Sequence, residues 1–334
     1  MVILSGSHCS IKVDFLPKLT RFRRMLDVVA IGHALLDRIY RLAALPRPGS
    51  GSRILAAYET PGGLEANVLA ALARLGARVG LIGRVGDDAD GQRVLADLDA
   101  WGIERQRVAV VPGLRSDYCI IWVDPRGERM ICCGGEGVLG LRLTPEDEAY
   151  AAQARIVFAS AYVPLGAVAP LFARARAEGR RTAFDLADVL PDLEARGLRR
   201  EALVALIPTV DLFLCNGLSL STLMAEAEPL AAFAAFRRAY PGPILAMSLG
   251  TAGAWLARGD EVEHIPAFSV EAVDTTGAGD AFHAGLIHGL FLRDWGLARA
   301  GRFAAALAAL NCLGLGARGG LAGEEEVERF LLNR

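Results

Sequence analysis

The residues best suited to chemistry stand together near the C-terminal end, in the run Asp274-Thr275-Thr276-Gly277-Ala278-Gly279-Asp280. Two glycines around an alanine leave backbone N–H groups accessible. The spacing of Phe282, Leu286 and Leu290 then begins a helix immediately afterwards. Amides at the positive end of a helix attract anions, phosphate above all. A carboxylate there opposes that attraction, unless Asp280 takes a proton from a hydroxyl that attacks the phosphate. The competing reading is an ordinary helix start, where Asp and Gly are both common. The loop alone leaves the two readings level.

Other candidates lie at strand ends and helix starts, where α/β proteins contact ligands. Asp37 comes five residues after Gly32, which ends the strand-like Val28–Ile31; taken alone it reads better as a loop aspartate. Gly62 and Gly63 open a helix running through Leu75, with Asn67 in its first turn and Gly76 as its left-handed cap. They would let a ligand approach the backbone, and the Asn67 amide both donates and accepts. A plain glycine turn is the alternative, and the second glycine-rich helix start at residues 277–280 tips the reading toward a site. Asn216 follows the strand Leu212–Leu214, and Ser248, Gly250 and their neighbours end another.

These positions need elements to hold them. From Ile156 onward, strands at Ile156–Ala159, Thr182–Asp185, Leu212–Leu214, Ile244–Ser248 and Ala254–Ala257 alternate with helices. Val79–Ile82 and the helix after it begin the same rhythm earlier, and the alanine-rich Leu297–Leu310 is expected as the final helix. Repeated βα units predict an α/β fold, a three-layer αβα sandwich on a mostly parallel central sheet. The stretch Glu263–Val273 has the alternation of a strand leading into the Asp274–Asp280 loop. Outside this rhythm, Asp117–Val123 and Glu128–Cys133 flank Asp124-Pro125-Arg126-Gly127, a strong hairpin signal. With Arg53–Tyr58 they predict a small β lid, its strands within about residues 38–60 and 112–134. Arg129 on that hairpin is suited to an oxyanion, though a solvated strand arginine is the commoner case.

The chain of 334 residues is 53% hydrophobic and carries a formal charge of -2. This gives no electrostatic reason to expect nucleic acid or an anionic membrane as partner, and no apolar run is long enough to span a bilayer. The six cysteines form no C-x-x-C pair and read as reduced thiols of a cytoplasmic protein. Residues 1–24 differ in character from the rest of the chain. They read as a poorly ordered extension, with the functional domain covering residues 25–332.

Several motifs are absent or only apparent. There is no G-x-x-x-x-G-K-[ST] loop. Gly314-Leu315-Gly316-Ala317-Arg318-Gly319 has the spacing G-x-G-x-x-G, but it comes after a helix instead of a strand, so a dinucleotide role is discounted. The acidic run Asp87-Asp88-Ala89-Asp90 lacks the spacing of a calcium loop and reads as turn and cap residues. His283 and His288 are five apart on one helix, the wrong spacing for a shared face.

Taken together, Gly32…Asp37, Gly62-Gly63…Asn67, the glycine-rich Arg78–Gly91 and the Asp274–Asp280 loop resemble the ribokinase-like (phosphofructokinase-B type) carbohydrate kinases. The resemblance runs in the family's order over essentially residues 25–332. It implies the ribokinase-like fold and an ATP-dependent sugar kinase, with Asp280 as general base and Gly277, Ala278 and Gly279 as an anion hole. It further implies that Asp37, Gly62, Gly63 and Asn67 hold the sugar hydroxyls and that Asn216, Ser248 and Gly250 contact nucleotide phosphates. Magnesium is implied with the ATP. Asp274 and Thr276 lie where many members bind a monovalent cation such as K+. The chain departs from the family at Ser219, where many members carry a glutamate that organises magnesium. A dimer through the lid edges is a plausible assembly. The acceptor the resemblance implies is ribose, a fructose-like sugar or a relative of these. A nucleoside kinase of the same superfamily and a non-catalytic sugar or nucleotide sensor are the alternatives.

Overall fold

The computed structural model describes residues 25–127 and 129–334. Residues 1–24, expected to be an extension, and Glu128 of the hairpin lie outside the described residues.

The strands are β1 (Leu26–Ile31), β2 (Leu35–Leu42), β3 (Ile54–Gly62), β4 (Val79–Gly86), β5 (Glu104–Val111), β6 (Tyr118–Val123), β7 (Arg129–Gly134), β8 (Ala154–Ser160), β9 (Arg181–Asp185), β10 (Leu212–Asn216), β11 (Ile244–Ser248), β12 (Ala254–Arg258) and β13 (Glu261–Ile265). The α-helices are α1 (Leu64–Arg74), α2 (Ala89–Ala100), α3 (Pro145–Ala151), α4 (Leu165–Ala177), α5 (Leu190–Ala195), α6 (Arg200–Leu206), α7 (Gly217–Met224), α8 (Pro229–Ala239), α9 (Ala278–Ile287), α10 (Leu297–Asn311) and α11 (Glu324–Leu332).

Nine strands form the main sheet in the order β13-β12-β11-β10-β9-β8-β1-β4-β5. It is parallel from β11 to β5, and β12 and β13 run antiparallel at one edge. Successive strand residues point to opposite faces, so each inner strand feeds two cores. From β10, Phe213 and Cys215 join Phe172, Phe184 and Phe236 on one face. Leu212 and Leu214 join Leu69, Leu81 and Leu286 on the other. The Phe213 and Phe236 rings lie 4.7 Å apart between centroids, and each such buried ring is worth about 1.5–3 kcal/mol. Helices α4 to α8 cover the first face and α1, α2, α9 and α10 the second. This is the expected three-layer αβα arrangement.

Four strands form a second, smaller sheet in the order β3-β2-β6-β7. Three expectations change here. Asp37 lies within strand β2 of this sheet and not in a loop after β1. The strand expected over 263–273 ends at Ile265, because its antiparallel partner β12 begins at Ala254, opposite Ile265, and residues 266–277 carry no strand. Leu297–Leu310 is also not the last helix. The acid-rich α11 comes after it and packs Val327 against Phe303 and Leu307 of α10.

Candidate active site

The first strand of the main sheet delivers the chain into the small sheet, and α1 and α9 bring their N-termini together beneath it. Gly63 precedes α1 with φ 98, a left-handed conformation open to glycine. Gly277 precedes α9 with φ 75, and a Cβ there would come 2.1 Å from the carbonyl oxygen of Ala317. Both helix starts therefore need glycine, one of them for contact with the 314–319 loop.

Across this junction the Asn67 Nδ2 donates to Asp280 Oδ2 at 2.7 Å. Burial pushes the Asp280 carboxyl up to about 6. The Asn67 hydrogen bond and the nearby His283 oppose the rise, while the Asp185 and Glu65 charges add to it. Asp37, only 6% exposed, faces the same space. Burial raises its carboxyl to about 7 against the pull of the Arg318 guanidinium. Gly62 makes room for it, since a Cβ on Gly62 would stand 2.1 Å from Asp37 Oδ2. Asp37, Gly62, Gly63, Asn67 and Asp280 thus form one cluster. A carboxylate held near neutrality suits a base that takes a proton at physiological pH.

Around the Asp280 helix start, the Gly277–Gly279 segment is clasped rather than loose. Asp274 accepts from the Thr276 N–H at 2.9 Å and from the Gly316 N–H at 3.0 Å. Although burial works against it, these bonds hold the Asp274 carboxyl below its ordinary value. The Ala278 N–H leans back on Thr275 O at 3.3 Å, a long bond. Among the described residues, nothing beyond the chain neighbours and the helix's own backbone lies within 4 Å of a Cβ built on Gly279, so the space in front of that residue is open. The Arg129 Nη1 donates to Thr276 Oγ1 at 3.3 Å, which brings this lid guanidinium to the rim of the same loop. Asn311 donates to Thr276 O and Ala317 O, and its own Oδ1 is buried without a hydrogen-bond partner among the described residues.

On the far side of the loop opens a cleft of about 470 Å³. Ser248 and Gly250 line it together with Phe268, Ala308, Ala309 and Gly279. The irregular 266–277 segment supplies one wall, which a strand there would have displaced. Asn216 pairs in register with Ser248 at the sheet edge, but its Oδ1 caps α7 by accepting from the Ser219 N–H at 2.8 Å. The Ser219 hydroxyl turns back to Asn216 O at 3.0 Å and is fully buried.

Sequence reasoning missed several neighbours. Arg318, in the discounted Gly314–Gly319 run, donates to Asn67 Oδ1 at 2.8 Å. His283 is a buried partner of Asp185 at 2.9 Å rather than a metal ligand. His33 and Tyr162 meet edge to face at 5.6 Å between ring centroids. None of these contacts has a sequence signal, because each depends on the packing of distant segments.

Residues 25–322 match the pfkB family of carbohydrate kinases. The chain belongs to that family. It is a sugar kinase, a phosphotransferase whose acceptor is an alcohol group. The chain is 32% identical to the ATP-dependent ribose-1-phosphate kinase of Halopiger xanaduensis over 296 residues, 88% of this chain and 94% of that protein. It is 29% identical to the ribokinase of Bacillus subtilis, covering 92% of this chain and all of that one. The crystal structure of a putative ribokinase from Agrobacterium tumefaciens superposes with a TM-score of 0.78 at 28% identity, over 93% of this chain and 99% of that one. The ribokinase-like fold and the kinase class of the enzyme agree with what the sequence motifs implied. Among the described residues no helix is long and apolar enough to cross a membrane.

Proposed function

We propose that this sugar kinase uses ATP, with Asp280 as its general base and ribose or a ribose derivative as its first candidate acceptor. The observation that carries the reading is the convergence of Asp37, Gly62, Asn67 and Asp280 beside the open N-terminus of α9. Asp37 and Asn67 hold sugar hydroxyls, and the Gly62–Gly63 backbone lets the ring come close. Asp280 takes the proton of the attacking hydroxyl. The N–H groups of Gly277, Ala278 and Gly279 meet the charge that builds on the transferred phosphoryl oxygens, which is where most of such catalysis lies. Ala278 exchanges its long bond to Thr275 for that oxygen. Arg129, over Thr276, meets an oxyanion from the lid side.

The nucleotide occupies the cleft lined by Ser248 and Gly250, its base against Phe268, Ala308 and Ala309 and its phosphates toward Gly279. Asn216, beside Ser248, reaches it with the amide nitrogen that its capping role leaves over. Magnesium enters on the ATP, where it would neutralise phosphate charge. The back-bonded Ser219 hydroxyl offers it no ligand, and phosphates and water supply most of its shell. A monovalent cation such as K+ beside Asp274 and Thr276 is supported by the unpartnered Asn311 Oδ1 nearby. Exposed apolar residues on both edges of the lid sheet, Ile54 on β3 and Ile131 on β7, support a homodimer through the lid. Residues 25–332 form the kinase domain, and the reading puts it in the cytoplasm with its ATP.

The test is ADP release from MgATP over a panel of ribose, ribose 1-phosphate, deoxyribose, fructose and adenosine. Turnover with a sugar, lost in Asp280→Asn with the fold intact, is the expected result. Turnover with adenosine alone would make the protein a nucleoside kinase, and binding without any turnover would make it a sensor.

A further inference from the structure

We infer that Arg318 is a positioning residue for phosphoryl transfer, fixing the Asn67 amide so that its NH2 end faces Asp280 and the base is held aimed at the acceptor. This rests on the reading of Asp280 as the base. The geometry is a relay of four side chains. Arg318 pairs with Asp97 on α2 through Nη1, donates to Gly62 O at 3.3 Å through Nη2, and donates to Asn67 Oδ1 at 2.8 Å through Nε. Asn67 then donates to Asp280 at 2.7 Å.

An amide has an accepting end and a donating end, and only one orientation lets it donate to a carboxylate. Flipped, its oxygen would face Asp280 and repel it. A guanidinium has donors only. An arginine beside Asn67 therefore admits one orientation of the amide, the one that presents Nδ2 to the base. No neutral side chain imposes that choice as firmly, because hydroxyls and amides can reverse their own roles. Arg318 is itself fixed: it is 8% exposed, and two of its three nitrogens are occupied by Asp97 and Gly62. The same Gly62 leaves room for the Asp37 carboxylate, so one guanidinium braces the settings of both acids.

The electrostatics point the same way. The charged and polar groups around Asp280 are Glu65 and Asn67 from α1, Asp185 from the end of β9 and His283 from α9 itself, with Arg318 from the 314–319 loop. Asp37 on β2 shares the Arg318 charge. Three of these groups are acidic, and Arg318 is the buried guanidinium among them. Its removal leaves the carboxylates less well compensated and disfavours the ionised base. The preceding residue, Ala317, backs Gly277 of the anion loop. A single turn of chain thus supports the base through one residue and the phosphoryl-binding loop through the next.

The experiment compares wild type with Arg318→Ala, Arg318→Lys and Asp280→Asn in the full chain, using whichever sugar of the acceptor panel turns over. Arg318→Ala is expected to lose roughly 10–10²-fold in kcat, the scale of a misaligned reacting group, while KM for ATP stays within about threefold. Its acid limb in the kcat/KM profile moves to higher pH, and added guanidinium chloride restores part of the rate. Arg318→Lys keeps the charge but lacks the planar fork, so it recovers the pH limb more than the kcat. A merely structural arginine would lower the melting temperature without moving the pH limb or responding to guanidinium. Wild-type kcat and an unshifted limb in folded Arg318→Ala would overturn the inference. If that variant does not fold, the same result in Arg318→Lys would do so. Activity in Asp280→Asn would instead remove the base reading itself, whereas an inactive Asp280→Asn beside wild-type Arg318 variants would remove only this inference.

Discussion

The Asn67 amide on α1 donates to the Asp280 carboxylate on α9 at 2.7 Å, joining residues 213 positions apart in the chain. Each belongs to a glycine-started helix, and their meeting brings two separate helix starts into one cluster. The bond has a measurable consequence. Asp280→Asn removes the proton acceptor but keeps the shape, so kcat should fall by roughly 10²–10⁴-fold. A coupled ADP-release assay reads the loss, and an unchanged melting curve in buffer near pH 6 excludes misfolding as its cause.

Gly62→Ala is the corresponding probe of the acceptor side. Its Cβ would stand 2.1 Å from Asp37 Oδ2, so either the strand or the carboxylate must move. Overpacking of this kind costs about 1–3 kcal/mol. The expected outcome is a higher KM for the sugar, with ATP binding by calorimetry largely unaffected. Equal weakening of both substrates would contradict a carboxylate dedicated to the acceptor.

The pH dependence comes from the raised carboxyls. As the proposed base, Asp280 must be ionised to act, and its carboxyl is raised to about 6. Hence kcat/KM should be flat above that pH and fall as pH drops through it. Stability behaves in the opposite sense. A carboxyl raised in the folded state favours folding while protonated, and that contribution is lost as pH rises through about 6 for Asp280 and about 7 for Asp37. Asp37→Asn should therefore raise the melting temperature relative to wild type at pH 8 and have less effect at pH 4. Thermal melts at the two pH values decide the matter.

The proposed nucleotide cleft can be closed from the α10 side. Ala308→Trp places an indole among Phe268, Ala309 and Cys312. KM for ATP should rise on the order of tenfold, equivalent to about 1.4 kcal/mol, with sugar affinity retained. No change in KM for ATP would separate this cleft from the nucleotide.

The lid makes a claim about assembly. Ile131 on the β7 edge is 54% exposed and Ile54 on the β3 edge equally so. A dimer through these edges predicts that Ile131→Glu halves the mass measured by light scattering. A wild-type protein that is already monomeric at micromolar concentration would end the proposal.

Much of this was legible in the chain because it is local. Helix starts at Gly63 and Gly277, the βα rhythm and the hairpin around Asp124–Gly127 depend on neighbours within a few residues, where periodicity and turn chemistry act. The glycine requirement at 62 was visible as a residue type, but its cause, the Asp37 carboxylate on the adjacent strand, was not. Asp37 read as a loop residue because Leu35–Leu42 mixes apolar and charged residues on both faces and shows no alternation. The stretch 266–277 shows the opposite failure, since it has strand-like alternation yet no strand beside it to pair with.

Which distant segments touch was settled by packing across the chain. Arg318 meets Asn67 across 251 residues of chain, and nothing near Arg318 distinguishes it from a loop arginine in a false dinucleotide motif. Arg129 likewise gains a destination, Thr276, only when the lid strand is laid over the α9 loop. The layered fold and the glycine-rich helix starts with their carboxylates could be read from the chain alone, because backbone geometry and hydrophobic period are written locally. The setting of the Asp280 carboxyl, the placing of the acids around one buried guanidinium and the walls of the cleft beside Gly279 were decided by folding. Hydrogen-bond direction and burial exist only once remote side chains share the same space.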